Sequence, residues 1–178
     1  LFKCLEYTFP QPSHATLDPN HLGQIGGLFN HAQNLDELTA LMAKEVPSLG
    51  IPGCYLTLYE NPNNPSEGAR LILAFNREGR IPDAENSVFP SYQILPERFL
   101  NASGRVNFLI ESCFYKNREL GYVLFEMGPL GGPLYEVLRA HFSSSLHSAL
   151  TMEEQRRIEQ EREELFRTLE MANRELEE

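Results

Sequence analysis

The sequence has no tryptophan and only three cysteines, Cys4, Cys54 and Cys113, widely spaced and without a CxxC pair. That pattern argues against a disulfide framework or a zinc ribbon. It predicts buried apolar thiols in a reducing, cytoplasmic setting. No apolar run approaches the roughly 20 residues that a bilayer span needs, and no signal-peptide pattern opens the chain. Positive charge is scarce: 15 Lys and Arg stand against 25 Asp and Glu, a net charge of −10. Such a chain is a poor partner for nucleic acid phosphates or anionic membrane surfaces. The phosphate cradles GxxxxGK[ST] and GxGxxG, the HExxH metal motif and the GxSxG nucleophile elbow are all missing. The histidines, His14, His21, His31, His141 and His147, are scattered. No metal set and no catalytic constellation emerges, and the sequence predicts no enzymatic activity.

What is present centres on Asn107–Met127, NFLIESCFYKNRELGYVLFEM. Two runs rich in aliphatic, aromatic and β-branched residues, Asn107–Tyr115 and Leu120–Met127, flank the polar connection Lys116–Glu119. This is a hairpin signal. Both arms are apolar enough to predict central strands of a sheet covered on both sides. Glu111 and Glu126 interrupt these arms, and each needs an exposed position, an arginine partner such as Arg70 or Arg105, or a pocket.

Before the hairpin, residues 1–17 read as an upstream linker with a short strand at Lys3–Phe9. Asp18-Pro19 opens a helix in which Leu22, Ile25, Gly26, Phe29 and Ala32 recur at helical spacing. Gly23, Gly26 and Gly27 each cost about 1 kcal/mol there relative to Ala, which close helix packing explains. Asn34 starts a second helix, with Leu35, Leu38, Leu41 and Met42 as its core stripe and Pro47 and Gly50 ending it. Cys54–Glu60 alternates as a strand, with Tyr55, Thr57 and Tyr59 on one face. Ala69–Asn76 is the next strand. Residues 77–106 are irregular, with short elements expected at Ser87–Tyr92 and Pro96–Leu100. A connection this long inside a compact domain reads as a lid over a pocket, with Arg77, Arg80, Arg98 and Arg105 along it.

After the hairpin, Pro133 or Leu134 begins a helix with no interior Gly or Pro up to Glu178. Leu134, Val137, Leu138, Phe142, Leu146, Ala149 and Leu150 form a stripe that should pack on the domain. From Thr151 onward 15 of 28 residues are charged, ten Glu and five Arg. Ile158, Leu165, Leu169, Ala172 and Leu176 follow a heptad seam. Glu153–Arg157, Glu163–Arg167 and Glu170–Arg174 are spaced as i,i+4 pairs. The two stripes are out of phase, and the polar stretch Met152–Arg157 separates them. The chain begins at Leu1 and ends inside a helical pattern, which predicts a segment of a longer protein. The expected division is 1–17 linker, 18–150 domain and 151–178 coiled-coil helix.

The order helix, helix, strand, strand, irregular crossover, hairpin, long helix resembles a GAF domain, and the related PAS plan is similar. In the family's last hairpin a glycine follows the polar turn, and Gly121 stands there. The resemblance spans about residues 19–150. It implies an α+β fold: an antiparallel sheet of five or six strands, N- and C-terminal helices on one face, and irregular connections over a small-molecule pocket on the other. It further implies a cytoplasmic sensor and dimerisation module of a histidine kinase, a diguanylate cyclase or a transcriptional regulator, or a ligand-free dimerisation linker. The family's NKFDE signature, bilin cysteine and redox cysteines of the crossover are missing, so the cofactor is unknown. From strand and crossover position the ligand-contacting residues are expected to be Tyr55, Thr57, Phe75, Phe89, Tyr92, Phe108, Glu111 and Phe125. The homodimer interface is expected along Phe142, Leu146, Ala149, Ile158, Leu165, Leu169, Ala172 and Leu176.

Overall fold

The computed structural model describes residues 19–100, 106–128 and 131–176. The expected linker at 1–17, the Asp18 cap and Arg105 lie outside the described residues. Helix α1 spans Pro19–Asn30 and buries Leu22, Ile25 and Phe29. A Cβ at Gly26 would lie 2.2 Å from His141 Nδ1, so glycine sets how closely α1 approaches the last helix. A Cβ at Gly23 or Gly27 meets nothing within 4 Å. Close packing therefore explains one of the three glycines. Helix α2 spans Leu35–Glu45, and the Asn34 side chain caps it by accepting from the Glu37 amide at 2.8 Å. Leu38 and Met42 bury its inner face. A 3₁₀ turn at Val46–Leu49 follows, closed by Gly50 in the left-handed conformation at φ 77°, where a side chain would be strained.

Strands β1, Cys54–Tyr59, and β2, Ala69–Asn76, pair antiparallel. The crossover contains β3 at Gly79–Arg80, a 3₁₀ turn at Pro82–Ala84, β4 at Ser87–Phe89 and α3 at Glu97–Leu100. Strands β5, Phe108–Tyr115, and β6, Arg118–Glu126, form the expected hairpin. Its turn is only Lys116-Asn117, with Lys116 at φ 53°, so Arg118 and Glu119 join the strand. The sheet has six antiparallel strands in the order β3-β2-β1-β6-β5, and β4 also pairs with β2.

This order corrects one expectation. Strand β6 is interior and almost wholly buried, but β5 is an edge, with Ile110 and Phe114 nearly half exposed. The edge is blunted rather than covered. A bulge shifts the register between Cys113 and Phe114, the Phe114 amide donates to Ser143 Oγ at 3.3 Å, and the Arg139 guanidinium lies 4.9 Å over the Phe114 ring. Bulges and charge are standard protection for an open edge.

The sheet separates two cores. On one face α1, α2 and the last helix, α4 (Gly132–Leu176), pack on Cys54, Leu56, Leu73, Val123 and Phe125. On the other, the crossover packs Phe89, Leu95 and Phe99 onto Tyr55, Leu71, Tyr122 and Leu124. Burial pushes the Cys54 thiol up and that of Cys113 to about 12, as expected of apolar, unreactive cysteines. Gly121 sits where β6 passes closest to β1: a Cβ there would lie 1.9 Å from the Thr57 carbonyl oxygen.

Candidate functional site: the crossover face and the departing helix

Strand alternation brings Tyr55 and Thr57 to the face beneath the crossover, and cross-strand pairing adds Tyr122, Phe108 and Glu126. The Tyr55 ring packs 5.9 Å from both Phe99 and Phe108. The Tyr122 hydroxyl donates to the Gln93 carbonyl at 3.5 Å, and burial raises its phenol to about 12. The Thr57 hydroxyl is fully buried and lies beside the Tyr122 hydroxyl on the paired strand. Arg77 donates to Glu126 Oε1 at 2.9 and 3.2 Å, closing the open end of β6. Two further crossover arginines are also held. Arg80 grips Glu85 at 2.7 and 2.9 Å and reaches Thr39 Oγ1, and Arg98 donates to Ser87 Oγ at 2.9 Å.

Of the eight expected ligand residues, Tyr55, Thr57, Phe89 and Phe108 are gathered on this face. Phe75 and Phe125 are not. They pair with Cys54 across β1 and point into the helix-side core. Tyr92 is 81% exposed. Glu111 faces the helices and lies 3.7 Å from Arg139, because it shares a face with Cys113 rather than with Phe108. Glu126 is the crossover-side acid instead, and Arg77 is its partner, while Arg105 lies outside the described residues. Arg70 is bound to Glu60. No cluster of three or more His, Cys, Asp or Glu suited to a metal occurs among the described residues.

Helix α4 is unbroken for 45 residues, roughly 68 Å at 1.5 Å per residue. Its first half is core: Leu138, Phe142, Leu146 and Ala149 are wholly buried, and Phe142 packs 5.6 Å from both Phe29 and Phe125. Phe142, Leu146 and Ala149 are therefore removed from the expected dimer interface, since their own domain already covers them. Tyr135, missed in the sequence, is buried too and accepts the Gly128 amide at 2.7 Å, whereas Val137 faces outward. The second half is exposed throughout, with Ile158, Leu165 and Leu169 between 52% and 62% accessible. Ala172 is exposed as well, and the Leu176 side chain lies outside the described residues. At about 100° per residue the inner stripe and this tail stripe point roughly 165° apart. The phase break thus marks a change from a face packed on the body to one turned away from it. Of the three expected tail pairs, Glu163–Arg167 forms at 4.0 Å. Glu153 turns to the body instead and accepts the Leu35 amide at 2.7 Å. Arg157 consequently pairs with Glu154 and Glu161. Glu170–Arg174 is not among the ion pairs of the described residues.

An antiparallel six-stranded sheet with terminal helices on one face and an irregular crossover on the other defines a GAF-like α+β domain. The structure is similar to the crystal structure of the GAF domain from Acinetobacter phosphoenolpyruvate-protein phosphotransferase, with a TM-score of 0.54 and 16% identity, over 74% of this chain and 93% of that one. At that identity the likeness establishes the fold. No protein-family model matches the sequence, and no curated protein matches it. No helix of the described residues is long and apolar enough to cross a membrane.

Proposed function

We propose that the chain is a cytoplasmic sensor and dimerisation module of a signal-transduction protein, without catalysis of its own. A small molecule between sheet and crossover biases the packing of the body. Helix α4 passes that bias to a tail paired in parallel with the tail of a second copy. The downstream output is of the histidine kinase, diguanylate cyclase or transcriptional type. The observation that carries this reading is the continuity of α4. One rigid helix is core for its first half and an unpartnered apolar seam for its second, so a shift in core packing moves the seam. On an ideal helix the tail seam runs in phase, within roughly half a turn's width, with Ala140, Ser144 and Thr151. Ala140 and Thr151 are exposed and Ser144 half-buried, and small residues allow a partner helix to approach closely.

A second reading, a ligand-free dimerisation linker, is favoured by the dense filling of the crossover face with Phe89, Leu95 and Phe99. Native mass spectrometry of the purified protein separates the two. A dimer retaining a small-molecule adduct supports the sensor, and a bare dimer that no metabolite panel stabilises supports the linker. The double variant Leu165→Glu/Leu169→Glu should give a monomer whose body melts at the wild-type temperature. A monomeric wild type overturns the paired tail.

A further inference from the structure

A cavity of about 890 Å³ opens where α4 leaves the sheet. That volume lies within the roughly 300–1,000 Å³ of small-molecule sites. It is on the helix side of the sheet, with Glu85 and Asn86 of the crossover in its wall. Its floor is apolar, made by Leu58, Ile72 and Leu120 with Leu150 of α4. Its walls are charged, but most of those charges are already answered. Glu60 holds Arg70 at 2.7 and 3.0 Å, Glu85 holds Arg80 at 2.7 and 2.9 Å, and Glu154 holds Arg157 at 2.8 Å. Three lining charges have no ion-pair partner among the described residues: Arg118 at the start of β6, Asp36 in the first turn of α2, and Glu153, whose carboxylate instead accepts the Leu35 amide.

One free cation and one free anion above an apolar floor are the complement of a zwitterion with an apolar body. An occupant of a single charge would engage only one of these two wall groups and forgo the second charge-assisted contact. An anion alone would also face five lining carboxylates against two guanidinium groups. We propose that this cavity binds a small apolar zwitterion of the amino-acid type, with its carboxylate at Arg118 and its ammonium group at Asp36. The occupant touches both parts of the molecule, since Thr151, Glu153 and Gln155 of the departing helix form one wall. It therefore reinforces the seating of the tail, where Glu153 already holds the Leu35 amide.

The test is titration calorimetry with four probes. L-phenylalanine and leucyl-leucine are zwitterions of short and long charge separation, phenethylamine carries the amine alone, and 3-phenylpropionate the carboxylate alone. At least one zwitterion should bind saturably, with the single-charge probes about tenfold weaker or worse, as expected for a lost charge-assisted bond. Arg118→Gln and Asp36→Asn, both at exposed positions, should each weaken the zwitterion by a similar factor. Saturable binding by neither zwitterion, equal binding by a single-charge probe, or indifference to both substitutions overturns the proposal. The proposal goes beyond the sensor reading and does not rest on the dimer. The monomeric Leu165→Glu/Leu169→Glu variant should bind the zwitterion as the wild type does, so the two ideas fail separately.

Discussion

The two halves of α4 carry similar kinds of apolar residue to opposite ends. Phe142 in the body half is wholly buried between Phe29 and Phe125, while Phe166 in the tail half is 59% exposed beside Arg162. Nothing in the local sequence breaks the helix between them. The difference lies in what each face meets. The inner stripe is covered by the sheet and α1, and the tail seam points away from both. Hydrophobicity along this helix therefore has two outcomes, core in one half and an exposed apolar seam in the other.

The largest expected effect tests that contrast directly. Phe142→Ala should destabilise the body by about 3–5 kcal/mol, the cost of emptying a large aromatic site. Phe166→Ala should stay within roughly 0.5 kcal/mol. Urea unfolding followed by tyrosine fluorescence measures both, since no tryptophan is present. Comparable losses at the two sites would erase the division of the helix.

A smaller effect sharpens the contrast at the α1–α4 contact. Gly26→Ala places a Cβ against the His141 ring and should cost about 1–3 kcal/mol through overpacking. Gly27→Ala meets open space and should add about 0.5–1 kcal/mol, because alanine favours the helix. The two substitutions, one residue apart, should shift the thermal midpoint in opposite directions. Shifts of the same sign would show that α1 does not hold this distance from α4.

Much of this division was legible in the sequence, and the failures share one cause. The bounds of β1 and β2, the Asn34 cap and the long helix follow from local periodicity and capping chemistry, and the Gly121 position from the family resemblance. Which face a strand residue takes relative to another strand depends on register. Register was set here by bulges at Leu56/Thr57 and Cys113/Phe114 that no single strand announces. The pairing of Phe75 and Phe125 with Cys54 sets them on the face opposite Tyr55, and alternation along β5 alone separates Glu111 from Phe108, three residues away. Strand β5 read as central because Ile110 and Phe114 are apolar, while its protection by Arg139 comes from a helix 25 residues later. The phase difference in α4 was visible, but not its reason, since helical spacing does not say which neighbour a stripe faces. The cavity at the tail exit draws residues from α2, three strands and α4, and no sequence spacing joins them.

The junction itself gives the subtlest test. Glu153 lies about one and a half turns before Ile158, the first tail seam residue, and spends its carboxylate on the Leu35 amide, 2.7 Å away, while Arg156 donates to Gln33 at 3.1 Å. An acid on a free amide in the first turn of a helix is a cap, here supplied from 118 residues away. Asn34 already serves a different amide of the same turn, so the two caps do not replace each other. Glu153→Ala should therefore cost about 1 kcal/mol, and Glu153→Gln, which keeps an acceptor but loses the charge, should cost less. Hydrogen exchange separates this from a general loss of stability. The Leu35 amide should exchange faster in Glu153→Ala while amides in β1 and β6 keep their protection. An unchanged Leu35 amide would mean that the tail only rests beside the body, and that the two halves of α4 are joined by the helix alone.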